Sequence, residues 1–181
     1  MNYGHYTTQT MQETVQLANA LAGDREAPSD ADLRELLHRF ELGSEPLDVM
    51  GLRHLAQRLR AVFTSDDMDA RVTLLNDMIA LYQPSPHIVD HDGLGHHMHY
   101  VPPGAGHLRA IGASMTMALA LVLCDFGTQR LGSCPSCGDV FVDTTRNGRQ
   151  RFCSRACANR VHVASHRARA SESPTDGTAG G

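Results

Sequence analysis

Leu33, Leu36, Leu37 and Phe40 recur at the three- and four-residue spacing that lines one face of a helix. Leu52, Leu55, Leu59, Val62 and Phe63 repeat that spacing, and so do Met68, Val72, Leu75, Ile79 and Tyr82. Ser29 and Asp32 form a capping arrangement ahead of the first stripe, while Asp66 and Asp67 lead the third, where negative charge favours a helix start. The pattern predicts a further helix over 11–22, a stop at "QPSP" after Tyr82, and a more uniformly apolar, central helix over 106–126. Between the last two lies "HIVDHDGLGHHMHYVPPG", in which "DGLG" separates two short alternating runs and predicts a hairpin.

Composition agrees with packed helices. Of 181 residues 41% are hydrophobic, yet aromatics are few and Trp is absent, so aliphatic and Met side chains must build the core. The longest apolar run, "MALALVLC" at 117–124, is too short to span a bilayer, and a soluble, cytoplasmic protein with no membrane partner is expected. Cys124, inside that run, is expected to be a small buried hydrophobe.

Charge divides the chain. Residues 1–129 carry sixteen Asp or Glu against eight Arg, whereas 130–170 carry eight Arg against Asp139 and Asp143. Residues 171–181, "SESPTDGTAGG", hold too little apolar surface to offset ordering and are expected to form a disordered tail. The acidic and basic parts meet near "FGTQRLGSC". The expected architecture is therefore mainly α: a helical domain over 1–129 with a short hairpin, then a small module over 130–170.

That module carries the chemistry. Cys134-x2-Cys137, fifteen intervening residues and Cys153-x3-Cys157 suit a knuckle, a hairpin and the first turn of a helix around one tetrahedral Zn2+. "VFVDT" and "RQRF" are the expected strands, with "RNG" turning between them, and Ser154 is the expected cap of a helix running to about Ala170. Four unrelated buried thiols, or a CxxC redox pair, are the rival readings; the redox pair would lack βαβ surroundings and leave the second pair unexplained.

Cys134, Cys137, Phe141, Asp143, Arg146, Asn147, Arg151, Cys153, Ser154, Cys157, Asn159, Arg160, His166 and Arg167 together resemble the CGNR zinc finger over roughly forty residues. In that family the finger commonly follows a helical domain called ABATE, associated with stress-induced transcription regulators, and residues 1–129 are similar in length and pattern. The resemblance implies that the four cysteines hold zinc in a treble-clef-like fold and that the arginines contact nucleic acid. Ala158 stands where the family motif has Gly, and Phe152 where Trp is usual.

Four thiolates leave zinc no open position, so the metal is structural and function must sit on the surface. Candidate nucleic-acid contacts are Arg146, Arg149, Arg151 and Arg155 around the hairpin and helix start, and Asn159, Arg160, Arg167 and Arg169 along the helix. Arg can take phosphate bidentately and pair with guanine edges. A solvated basic helix, or a surface docking on acidic protein including residues 1–129, are the competing readings. His97 and His99, on one face of the predicted hairpin, form a candidate metal or ligand site against the alternative of exposed surface histidines. No G-x-S-x-G, H-E-x-x-H, P-loop or dinucleotide fingerprint occurs, and no enzyme is expected. The reading is a DNA-binding transcription regulator under a small-molecule or metal signal. The alternatives are a zinc-stabilised adaptor with a protein partner in the transcription or stress machinery, and an RNA-binding protein.

Overall fold

The computed structural model describes residues 5–22, 26–90, 93 and 95–172. Its order is α1 (His5–Leu21), α2 (Asp30–Leu36), α3 (Val49–Thr64), α4 (Met68–Tyr82), β1 (His87–Asp90), β2 (His96–His99), α5 (His107–Phe126), β3 (Leu131–Ser133), β4 (Val140–Val142) and α6 (Arg155–Glu172). It is mainly helical with two small antiparallel ribbons. Residues 173–181, the larger part of the expected tail, lie outside the described residues, while the backbone of 171–172 continues α6.

Local signals place the helices. The Ser29 hydroxyl accepts from Asp32 N while the Asp32 carboxylate accepts from Ser29 N, a complete capping box on α2. Asp67 caps α4 by accepting from the Asp69 and Ala70 amides. All five members of the 52/55/59/62/63 stripe are buried. Leu17, Leu55, Leu59, Val62, Met115 and Leu119, each fully buried, form the centre where α1, α3 and α5 meet.

α4 presents a different face from the one its apolar spacing predicts. Arg71, Leu75, Met78 and Tyr82 point inward, and Met68 and Val72 are exposed. Arg71 explains the rotation: its guanidinium donates to Ser65 O and to Phe63 O, covering carbonyls at the end of α3. Burial of Arg71 is then offset by satisfying acceptors that would otherwise lack donors.

α5 lies at the heart of the core. Its continuation, His107–Arg130, is long and apolar enough to cross a membrane by length and composition, although the run at 117–124 alone is not. Within its most apolar window 61% of the residues are buried inside the fold, so this is the core helix around which the others pack. Val122 and Leu123 face inward, which turns Cys124 outward; it is exposed, against the sequence expectation of a buried thiol. In zinc-loaded protein a thiol reagent should therefore modify one cysteine per chain rapidly, and Cys124→Ser should abolish that fast phase. Five fast thiols would contradict a closed zinc site built from the other four cysteines.

Candidate metal centre and its arginine-lined cleft

β3 and β4 pair in the register Leu131↔Val142, Gly132↔Phe141 and Ser133↔Val140. Beyond the pair, Cys134 N donates to Asp139 O at 2.8 Å and Gly138 N donates to Cys134 O at 2.7 Å, so residues 134–138 close as a tight knuckle. Gly138, at φ +76°, takes the left-handed conformation this closure needs. Opposite Phe141, a Cβ on Gly132 would fall 2.8 Å from Phe141 Cζ, so only glycine lets the ring lie across the ribbon. Phe141 then packs with Cys134, Cys157, Phe152 and Cys153 in a small second core. Phe152 thus fills the aromatic position beside the site and meets the His162 ring edge-on.

The second cysteine pair arrives with α6. Ser154 caps its start, its hydroxyl accepting from Cys157 N at 3.2 Å and its carbonyl from Ala158 N at 3.1 Å. Ala158 continues the helix, where alanine is favourable.

All four sulfurs lie within 4.8 Å of one another, with Cys137 Sγ 3.5 Å from Cys153 Sγ and Cys153 Sγ 3.7 Å from Cys157 Sγ. Zinc–sulfur bonds of about 2.3 Å at tetrahedral angles place ligating sulfurs about 3.8 Å apart, so the cluster fits one Zn2+. The surroundings favour thiolate at Cys134 and Cys157 and oppose it at Cys137 and Cys153. Burial opposes charge on Cys134, but the backbone N–H groups of Cys153, Ser136 and Cys137 bring it down to about 6. The Ser154 hydroxyl lowers Cys157. Burial and the neighbouring sulfurs raise Cys137 in the metal-free cluster, where four negative charges cannot coexist without a cation.

The hairpin is not where the spacing predicts it. Val140–Val142 pairs with Leu131–Ser133, across the knuckle, and "RQRF" forms no strand. Asp143 is the reason. Its buried carboxylate accepts from Thr145 N at 2.8 Å, Thr145 Oγ1 at 2.5 Å and Gln150 N at 2.7 Å, which folds 144–150 into a compact loop instead of a ladder. Arg130 lies 3.8 Å from the same carboxylate and donates to the carbonyls of Asp143 and Thr145. Burial works against the charge, and these hydrogen bonds with the Arg130 guanidinium hold the Asp143 carboxyl below its ordinary value.

The loop and the start of α6 line a cleft of about 650 Å3, walled by Arg146, Arg149, Arg151 and Arg155 together with Phe152 and Ser154. Among the described residues no carboxylate lines it, and all four arginines are exposed. Asn159, Arg160, Arg167 and Arg169 follow along exposed positions of α6, outside the cleft. Arg160 turns back toward the knuckle, its guanidinium 3.4 Å from Ser136 Oγ, and Arg169 donates to Ser165 O. His97 and His99 stand together on the β1–β2 ribbon, Nε2 to Nε2 at 3.1 Å.

Two residues that sequence reading missed hold this module against the helices. The Asn19 side chain on α1 both donates to Val140 O at 3.0 Å and accepts from Val140 N at 2.8 Å, completing the outer edge of β4 as another strand would. Arg60 on α3 donates to Asn19 Oδ1 and, at 2.6 Å, to Gly138 O in the knuckle. Leu131 and Val140 join the same hydrophobic cluster as α1, α3 and α5. Nothing near Asn19 or Arg60 in sequence signals contacts with residues 78 to 121 positions away.

A four-thiolate zinc finger, its ligands supplied by a knuckle and a helix start with Cys134 and Cys157 buried and Cys137 at the surface, is what this site defines. Residues 130–170 match the family model of the CGNR zinc finger. No curated protein matches the chain.

Proposed function

We propose that this chain is a transcription regulator that binds DNA through its zinc finger. The observation that carries the reading is the cleft walled by Arg146, Arg149, Arg151 and Arg155 with no acidic group among its lining residues. Four arginines lining one cleft without a carboxylate among its lining residues make a positive surface that a polyanion would neutralise; phosphate oxygens also match the guanidinium fork. Arg167 and Arg169 extend the positive surface along α6, so a backbone crossing the cleft would continue over the helix. Residues 1–129, which resemble the ABATE domain, are assigned the receiving role for a stress or ligand signal, in the cytoplasm and without catalysis. Asn19 and Arg60 supply a route for that signal, since both bond directly to the finger.

The test is an affinity titration against duplex DNA at several salt concentrations. Each lost phosphate contact flattens the log–log salt slope by about 0.9. Arg149→Ala should weaken binding to all sequences and lower the slope by about one contact, and joint replacement of Arg146, Arg149, Arg151 and Arg155 by Ala should leave little binding. If the parent protein binds no duplex even at low salt, the DNA reading fails. Binding to single-stranded RNA would then select an RNA-binding protein, and binding to neither would select the adaptor.

A further inference from the structure

We infer that the β1–β2 ribbon carries a second, exchangeable site for a divalent late transition metal, with His97 and His99 as ligands and His87 beside them. The site is independent of the zinc finger and of the nucleic-acid reading. In the ribbon's register His87 pairs with His99 and Val89 with His97, so the three imidazoles share one face, while Ile88, His96 and Met98 occupy the other.

The ring nitrogens are spaced as ligands are. His97 Nδ1 lies 2.8 Å from Gly95 O, and a carbonyl only accepts, so Nδ1 carries the proton and Nε2 offers its lone pair. His99 Nε2 lies 3.1 Å from it. Nitrogens bound to one metal at about 2.0–2.1 Å stand about 2.9–3.4 Å apart at right-angled or tetrahedral geometry, so the pair is already at ligand spacing. His87 repeats the device: its Nδ1 is 2.8 Å from Ser85 O, which leaves Nε2 available, and its ring centroid is 6.0 Å from that of His99. A backbone carbonyl holding Nδ1–H is the usual outer partner of a metal-bound histidine. On metal binding, the proton shared between the two Nε2 atoms moves to His99 Nδ1, so the neutral imidazole changes tautomer and no proton is released. Imidazole donors select Zn2+, Ni2+ or Cu2+ over Mg2+ or Ca2+. His97 and His99 are half-buried and supply imidazole nitrogens alone, which makes the site exchangeable where four thiolates complete the coordination of zinc.

The experiment titrates Ni2+ into the zinc-loaded full chain by calorimetry, with zinc content measured before and after. Uptake of one Ni2+ per chain with zinc retained is expected. His97→Ala and His99→Ala should each weaken binding tenfold or more, whereas His96→Ala, on the opposite face, should bind as the parent does. Paramagnetic broadening of the His97 and His99 imidazole signals in the unmutated chain provides a reading free of folding effects. The inference is overturned if the parent chain takes up no Ni2+, if Ni2+ enters only by displacing zinc, or if the His97/His99 double variant binds unchanged.

Discussion

Stripping zinc from the chain should unfold residues 134–160 while the helical core keeps a cooperative transition. The finger's own core is small: Cys134, Phe141 and Cys157 are its buried members, three of the five residues that pack there being metal ligands. Without the metal, neighbouring thiolates repel and little apolar surface remains to offset chain entropy. Structural zinc in isolated fingers supplies roughly 10–16 kcal/mol, as much as or more than the whole stability of a typical domain. By contrast Leu17, Leu55, Leu59, Met115 and Leu119 are fully buried on helices that contribute no ligand. Cys134→Ser and Cys157→Ser should therefore lose the metal and the order of the finger, and lower the melting temperature of the helices as Leu131 and Val140 leave the shared cluster. Elemental analysis should find one Zn2+ per chain in the parent. Freshly purified protein without zinc would refute the metal centre.

Asp143→Ala should be the most damaging substitution among residues that touch neither zinc nor the helical core. It leaves Arg130, whose side chain is 12% exposed, facing no carboxylate, and strips two loop amides of their acceptor. Breaking a buried pair from one side costs about 3–5 kcal/mol. Asp143→Asn keeps one acceptor oxygen and should cost about 1–3 kcal/mol. The acid dependence follows in sign. Because the folded carboxyl titrates below its ordinary value, its stabilisation is complete above the unfolded pKa of about 3.9 and disappears as pH falls through the lower folded value. The gap between the parent and Asp143→Asn should therefore be constant near neutrality and close below about pH 4, as read from thermal melts. The same loop carries Arg146 and Arg149, so under the proposed DNA-binding function Asp143→Ala should also weaken binding without removing any arginine. A variant as stable as the parent at pH 7 would show that the loop is held by other means.

Much of the architecture was legible along the chain because its determinants are local. The capping box at Ser29 and Asp32 and the stripe from Leu52 to Phe63 each act within a few residues, so pattern alone places those elements. The four zinc ligands were legible for a related reason: two close thiol pairs have few uses other than one tetrahedral metal. Four other features were decided only in three dimensions. Apolar spacing proposed one face for α4, but unpaired carbonyls at the end of α3 drew Arg71 inward and turned the helix. The exposure of Cys124 depended on which side of α5 met the other helices. An Asn-Gly turn predicted strands on both sides of it, yet Asp143 took the amides a ladder would have used, leaving β4 to pair across the knuckle. The grip of Asn19 and Arg60 on the finger joins positions far apart in sequence, which neither periodicity nor capping encodes. Periodicity and caps specify how a segment folds; which of its polar groups find partners, and where, is settled when the segments pack.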